Sequence, residues 1–160
     1  MDKMCVRLDA FLKLISYGTN TNFKHMLNWN FENDIAIICA KATSFPDGVM
    51  AAFQKLHTVA PPAEGRSYFS VSWLGADGKI EYMAGATELQ TGEIQQNDFV
   101  NFTISAGKYL YIDVHDFMKD IPAIGKTFQQ LLALPETAKD SVCIEWYVSD
   151  KLCRCMVKST

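Results

Sequence analysis

Ile35-Ala-Ile-Ile-Cys39 and Phe53-Gln-Lys-Leu56 recur as Leu110-Tyr-Ile-Asp-Val114 and Phe128-Gln-Gln-Leu131, each at an offset of 75 residues. Further on, Ser70-Val-Ser-Trp73 aligns with Cys143-Ile-Glu-Trp146 at an offset of 73. A strand-length apolar run, a helix and a hairpin therefore occur twice in the same order. The copies differ at one informative place, where the second puts the carboxylate of Glu145 and the first has Ser72.

A chain of 160 residues supports one ordinary core, whereas halves of about 70 residues would each be marginal alone. The reading is a single domain over 1–160, with internal halves about 25–88 and 99–158 and an N-terminal extension over 1–24. The fold class is α+β: pseudo-twofold duplicated strand-helix-hairpin units whose antiparallel sheets surround a central cleft. In the extension, Leu8, Phe11, Leu12 and Ile15 have helical spacing, and 18–22 is turn-like.

A short strand over His25 to Trp29 is expected to pair with Ile35–Ala40 across the turn 30–34. Asp47-Gly48 opens the first helix, with Asp47 as its cap and Val49, Phe53 and Leu56 on one face. Asp77-Gly78 marks a hairpin between strands over 67–74 and 80–88. The second copy gives strands near 99–104 and 108–115, a helix from Asp120 or Ile121 to Leu132, and a hairpin of 142–148 with 152–158. Ile121, Ile124, Phe128 and Leu131 form the buried stripe of that helix.

The composition is 49% hydrophobic, with 15 basic and 18 acidic residues, which is globular rather than disordered. A net charge of -3 does not suit a protein that reads a nucleic-acid backbone, so direct DNA binding is not expected. No apolar stretch approaches the roughly 20 residues that cross a bilayer, and Asp2, Arg7 and Asp9 interrupt any signal-like start. The expectation is a cytoplasmic protein with no membrane association. Five cysteines fit a reducing compartment, and Cys153 and Cys155, one strand period apart, read as structural. The spacing of His25, His57 and His115 completes no metal site, so neither metal nor cofactor is expected.

Strand alternation separates two faces in each hairpin. Val142, Ile144, Trp146 and Val148 oppose Cys143, Glu145 and Tyr147, while Phe69, Val71 and Trp73 oppose Tyr68, Ser70 and Ser72. The fully apolar faces, with Trp73 and Trp146, are expected under the helices; the mixed faces are expected to line the cleft. Tyr109, Tyr111 and Asp113 are placed on that cleft side too. The candidate ligand-binding residues are Glu145, Tyr147, Tyr111, Tyr68, Tyr82 and Ser72. An aromatic wall around one carboxylate suits an organic cation, because ring faces attract positive charge and a buried unpaired acid is costly.

At these residues a family resemblance enters. Gly78-Lys-Ile-Glu-Tyr82-Met83-Ala-Gly85-Ala-Thr-Glu88, Phe102-Thr-Ile-Ser-Ala106-Gly107-Lys-Tyr109 and Cys143-Ile-Glu145-Trp-Tyr147 resemble the gyrase-inhibitor-like small-molecule-binding domain. That domain is also the effector-binding part of AraC-type and MerR-type multidrug regulators. The likeness covers roughly residues 31–158. It implies a cleft for drug-like, often cationic compounds, with the family's Glu-x-Tyr carboxylate carried over to Glu145 with Tyr147. No helix-turn-helix fits ahead of it, so the resemblance implies a standalone module that binds hydrophobic, cationic molecules as effectors or drugs. Two alternatives stay open: a small-molecule hydrolase on the same fold, and a gyrase-inhibitor-like interaction module with a protein partner or a second copy. No Gly-x-Ser-x-Gly elbow supports the hydrolase, and no catalytic residue is assigned.

Overall fold

The computed structural model describes residues 25–95 and 97–160; the helical spacing over Leu8 to Ile15 lies outside the described residues. Eight strands follow one another: β1 Leu27–Phe31, β2 Ile35–Lys41, β3 Tyr68–Leu74, β4 Ile80–Ala86, β5 Val100–Ile104, β6 Gly107–His115, β7 Cys143–Tyr147 and β8 Leu152–Lys158. Helix α1, Val49–Val59, joins β2 to β3; a 3-10 turn, Phe117–Lys119, and helix α2, Pro122–Leu132, join β6 to β7. Asp77-Gly78 makes the expected hairpin, with Gly78 at φ +78° and the Lys79 N–H donating to Asp77 Oδ1 at 3.0 Å. Only glycine adopts that backbone conformation at little cost.

Asp47 does not cap α1. Gly48 is the N-cap, and the chain before it folds back so closely that a Cβ there would lie 2.7 Å from the Ser44 carbonyl oxygen. The Gly48 and Val49 N–H groups donate to the Ser44 and Pro46 carbonyls, so backbone acceptors do the work expected of the aspartate. In α2, Phe128 and Leu131 are buried. Ile121, expected in the same stripe, is 51% exposed because it stands at the N-cap, ahead of the turn that reaches the sheet.

All strands join one antiparallel sheet in the order β1-β6-β8-β7-β3-β4-β2-β5, not two separate sheets. The doubling is visible in that order: outward from the central β7–β3 pair stand β8 and β4, then β6 and β2, then β1 and β5. The expected pairing of β1 with β2 does not occur. β1 pairs with β6, from Leu27 opposite Tyr111 to Phe31 opposite Gly107, and β2 takes β5 as its outer neighbour.

This exchange of edge strands shapes the molecule. β1 and β2 stand near opposite ends of the sheet yet are joined through residues 32–34 alone, and β5 and β6 through 105–106 alone. Such short links require the two ends to approach, and the Ala106 N–H donates to Asp34 Oδ1 at 2.7 Å where the turns meet. The sheet therefore curls into a half-barrel.

Every strand contributes to the buried cluster on the inner face, which includes Phe31, Ile37, Phe69, Val71, Met83, Ile104, Tyr111, Ile144 and Met156. Trp29 on β1 meets Trp146 on β7 at 5.6 Å between ring centroids, although two strands lie between them. The helices cover the other face. α1 packs Ala52 and Leu56 against Ile38, Ala40, Ala84 and Ala86, while α2 packs Phe128 and Leu131 against Leu110, Ile112, Val114 and Val157.

The face assignment made from alternation is thus reversed. Phe69, Val71, Trp73, Ile144 and Trp146 belong to the inner cluster, whereas Cys143 and Tyr147 pack with the helix-side residues. A curled sheet must fill its own interior, and the bulkiest apolar side chains fill it. The helices take the mixed face and leave its middle to polar groups.

Candidate functional site

The middle of the helix-bearing face is where the two halves join. Ser70 of β3 stands opposite Glu145 of β7, with Tyr68 opposite Tyr147 and Ser72 opposite Cys143. On the next strand Tyr82 stands opposite Ser72. Tyr68, Ser72, Tyr82, Glu145 and Tyr147 therefore share one face. Tyr111 does not join them: it pairs with Met156 on β8 and points into the half-barrel with Tyr109.

Glu145 is 7% exposed. The Tyr147 hydroxyl donates to its Oε2 atom, and the Tyr82 hydroxyl lies 3.2 Å from that of Tyr147. When the carboxyl is ionised, Tyr147 donates to it and Tyr82 to Tyr147, so a directed chain runs from Tyr82 through Tyr147 to Glu145. Ser70, fully buried beside the carboxylate, has no well-formed hydrogen bond of its own. The ion pairs among the described residues, Lys55–Asp98, Arg66–Glu93 and Arg154–Asp113, do not include Glu145. Burial pushes the Glu145 carboxyl above its ordinary range, and the Tyr147 and Ser70 hydroxyls oppose that only in part. Burial also raises the Tyr147 and Tyr82 phenols, with the neighbouring carboxylate adding to it.

Aromatic rings enclose this polar centre. Tyr147 packs edge-on against Phe53 of α1 at 5.5 Å and at a tilt of 48° against Phe117 of the 3-10 turn at 5.6 Å, so it bridges the halves. Phe45, 43% exposed, stacks on Tyr82 at 5.6 Å with a 30° interplanar angle. Beside Phe45 the sheet opens into a groove of about 700 Å³, bounded by the 41–46 loop and the 77–83 hairpin, with Tyr82 in its wall. That volume is in the range of small-molecule sites. Glu145 is not in the groove lining; it lies beyond Tyr82 and Tyr147. Tyr68, at the other side, donates to the Ala60 carbonyl at 2.5 Å and packs on His57 at 5.1 Å.

Phe45, Phe53, Phe117 and Ser70 are not among the candidate ligand-binding residues, although alternation puts Ser70 on the same face as Ser72. Phe53 was legible as a sheet-facing residue of its helix; its place beside the carboxylate follows only once α1 is known to share Glu145's face. The inner face holds an instructive contrast. Arg154 donates to Asp113 from Nε at 2.8 Å and from Nη2 at 3.0 Å. Its guanidinium carbon lies 4.2 Å from the Tyr111 ring centroid, 5.1 Å from Trp29 and 5.6 Å from Trp146. Here a carboxylate among rings has its cation within the chain.

The fold recurs in solved structures. An integron cassette protein from the mobile metagenome of Vibrio cholerae superposes with a TM-score of 0.62 at 14% identity, covering 84% of this chain and 95% of its own. SAV2435, solved bound to tetraphenylphosphonium, matches with a TM-score of 0.60 at 12% identity over 85% of this chain and 94% of its own. The chain has the fold of a gyrase-inhibitor-like domain. A hydrolase from Listeria innocua matches with a TM-score of 0.53 at 9% identity over 86% of this chain and 92% of its own. At such identities the likeness is one of fold. No protein-family model and no curated protein matches the sequence. Among the described residues, no helix of this gyrase-inhibitor-like fold is long and apolar enough to cross a membrane.

Proposed function

We propose that this protein binds hydrophobic organic cations between its two helices, with Glu145 reading the charge and Phe53, Tyr82 and Tyr147 covering the apolar body. One observation carries the reading: a buried carboxylate, ringed by aromatic side chains, to which the described residues give hydroxyl partners and no cation. An ionised carboxylate removed from water costs several kcal/mol in a protein interior unless it is paired. A cation brought to it offsets that cost, and each well-placed ring adds about 0.5–2 kcal/mol.

Asp113 and Arg154 support the same chemistry from the opposite face, where carboxylate, cation and three rings are assembled from the chain itself. The phosphonium-bound structure supports the class of ligand, as a like-folded protein that takes a bulky lipophilic cation. A ligand entering the groove meets Tyr82 first; displacement of the Tyr82 and Tyr147 rings then opens the way to Glu145. Ser72 lies on the same face opposite Tyr82 and Cys143 and sets the width of the floor. Tyr68 borders the α1 side.

Tryptophan fluorescence tests this by titration with tetraphenylphosphonium and with neutral triphenylphosphine oxide, on the wild type and on Glu145→Gln. Saturable binding that prefers the phosphonium in the wild type and loses the preference in the variant is the expected result. Equal affinity for both compounds in the wild type would overturn the role given to Glu145.

A further inference from the structure

The oxygen atoms of Glu145, Tyr147 and Tyr82 form a chain that works in either direction. With the carboxylate ionised, Tyr82 donates to Tyr147 and Tyr147 to Glu145. With the carboxyl protonated, Glu145 donates to Tyr147 and Tyr147 to Tyr82, across the same heavy-atom positions. The site is therefore built to hold the acid in its neutral form as well as its charged one.

The groups facing the carboxyl do not favour its charge by carrying a positive one. Its own strand supplies Tyr147 and Cys143, β4 supplies Tyr82, and β8 supplies Cys155 directly opposite and Cys153 opposite Tyr147, all acids far weaker than a carboxyl; burial pushes Tyr147, Cys143 and Tyr82 up further, and the hydrogen bond with Cys155, then burial, pushes Cys153 up. From β3 comes the Ser70 hydroxyl, and from α1 and the 3-10 turn come the rings of Phe53 and Phe117, which reach Tyr147. His57 on α1 is exposed and packs on Tyr68. Glu145 is thus the member of this cluster that changes charge first as pH rises.

We propose that an organic cation binds here by exchange, its arrival at Glu145 releasing one proton to solvent. This rests on the binding reading above and adds a regulation to it: the ligand-free site is electrically neutral, and acidity competes with the cation. The proton leaves the carboxyl oxygen as the cation takes its place, so the charge of the site is the same before and after.

Isothermal titration of tetraphenylphosphonium in two buffers of different ionisation heat counts the protons released, and infrared difference spectra between wild type and Glu145→Gln follow the protonated carboxyl without ligand. Below the folded pKa of Glu145, the wild-type Kd should fall by about tenfold per pH unit of rise, with about one proton released per cation bound. In the variant, Kd should be independent of pH and proton release absent. The infrared band of the protonated acid should persist above the pH at which ordinary carboxyls ionise. Cation binding without proton release, or a carboxyl that ionises in the ordinary range, overturns the exchange and leaves the binding reading standing. A persistent protonated band with no saturable phosphonium binding at any pH overturns both.

Discussion

Replacing Glu145 by Gln changes one group at the centre of the sheet while keeping its shape, and the consequence for stability has a definite sign. In the unfolded chain Glu145 ionises near pH 4.3, the ordinary value for its type. Burial raises that value in the fold, and the hydroxyls of Tyr147 and Ser70 offset burial only partly. Below the unfolded pKa both states hold the proton, and the stabilising contribution of the neutral acid is fully present. As pH rises through the interval up to the folded pKa, the unfolded chain gives up its proton first and the contribution is lost at about 1.4 kcal/mol per pH unit. The Glu145→Gln variant has no such loss, and its amide can donate to Tyr147 and Ser70 while accepting from the same hydroxyl groups. Urea unfolding at a series of pH values from about 4 to 8, with unchanged m, should therefore find the variant gaining on the wild type at about 1.4 kcal/mol per unit through that interval. Glu93 and Asp98, whose exposed carboxyls are lowered by a backbone amide and by Lys55 respectively, titrate alike in both proteins and cancel in the difference. Parallel stability curves, with the variant lower throughout by about 1–3 kcal/mol, would refute the reasoning, because they would mean that Glu145 is ionised in the fold and stabilised by its hydroxyl donors.

Three further outcomes follow from particular contacts. Arg154→Met leaves Asp113 without its partner and uncovers Trp29, Tyr111 and Trp146; with both charged groups partly exposed, the loss should be about 2–3 kcal/mol, and adding Asp113→Asn should recover part of it in a double-mutant cycle. Gly85→Ala would set a Cβ 2.7 Å from Ile37 Cδ1 and 2.9 Å from Cys39 Sγ, both fixed in the inner cluster, and should cost about 1–3 kcal/mol by thermal or chemical unfolding. Tyr82→Leu removes one ring and leaves the carboxylate, so it should weaken both tetraphenylphosphonium and triphenylphosphine oxide, the phosphonium by at most about 0.5–2 kcal/mol more, whereas Glu145→Gln weakens the phosphonium alone.

Much of the local structure was legible because it is written in short-range patterns. The repeat of Phe53-Gln-Lys-Leu56 in Phe128-Gln-Gln-Leu131 places both helices, and Asp77-Gly78 places its hairpin. The partner of β1 was not legible: residues 32–34 are as compatible with a hairpin as with a crossing between sheet ends, and only pairing with β6, far along the chain, decides it. Alternation grouped Glu145 with Tyr147, and Ser70 with Ser72, correctly. It could not say which group lies under the helices, since that depends on how sharply the whole sheet curls. Tyr111 was misplaced for the same reason, and Asp113, grouped with it, belongs to Arg154. The closed packing of Phe53 and Phe117 on Tyr147 is likewise a tertiary fact with no local signature.

The most direct test of the central claim is a crystal structure of the protein with tetraphenylphosphonium bound. The account predicts the phosphonium on the helix-bearing face beside the Glu145 carboxylate, with Phe53, Tyr82 and Tyr147 around its phenyl groups; a phosphonium seated instead on the inner face near Trp146, or a crystal with no ligand at saturating concentration, would contradict it.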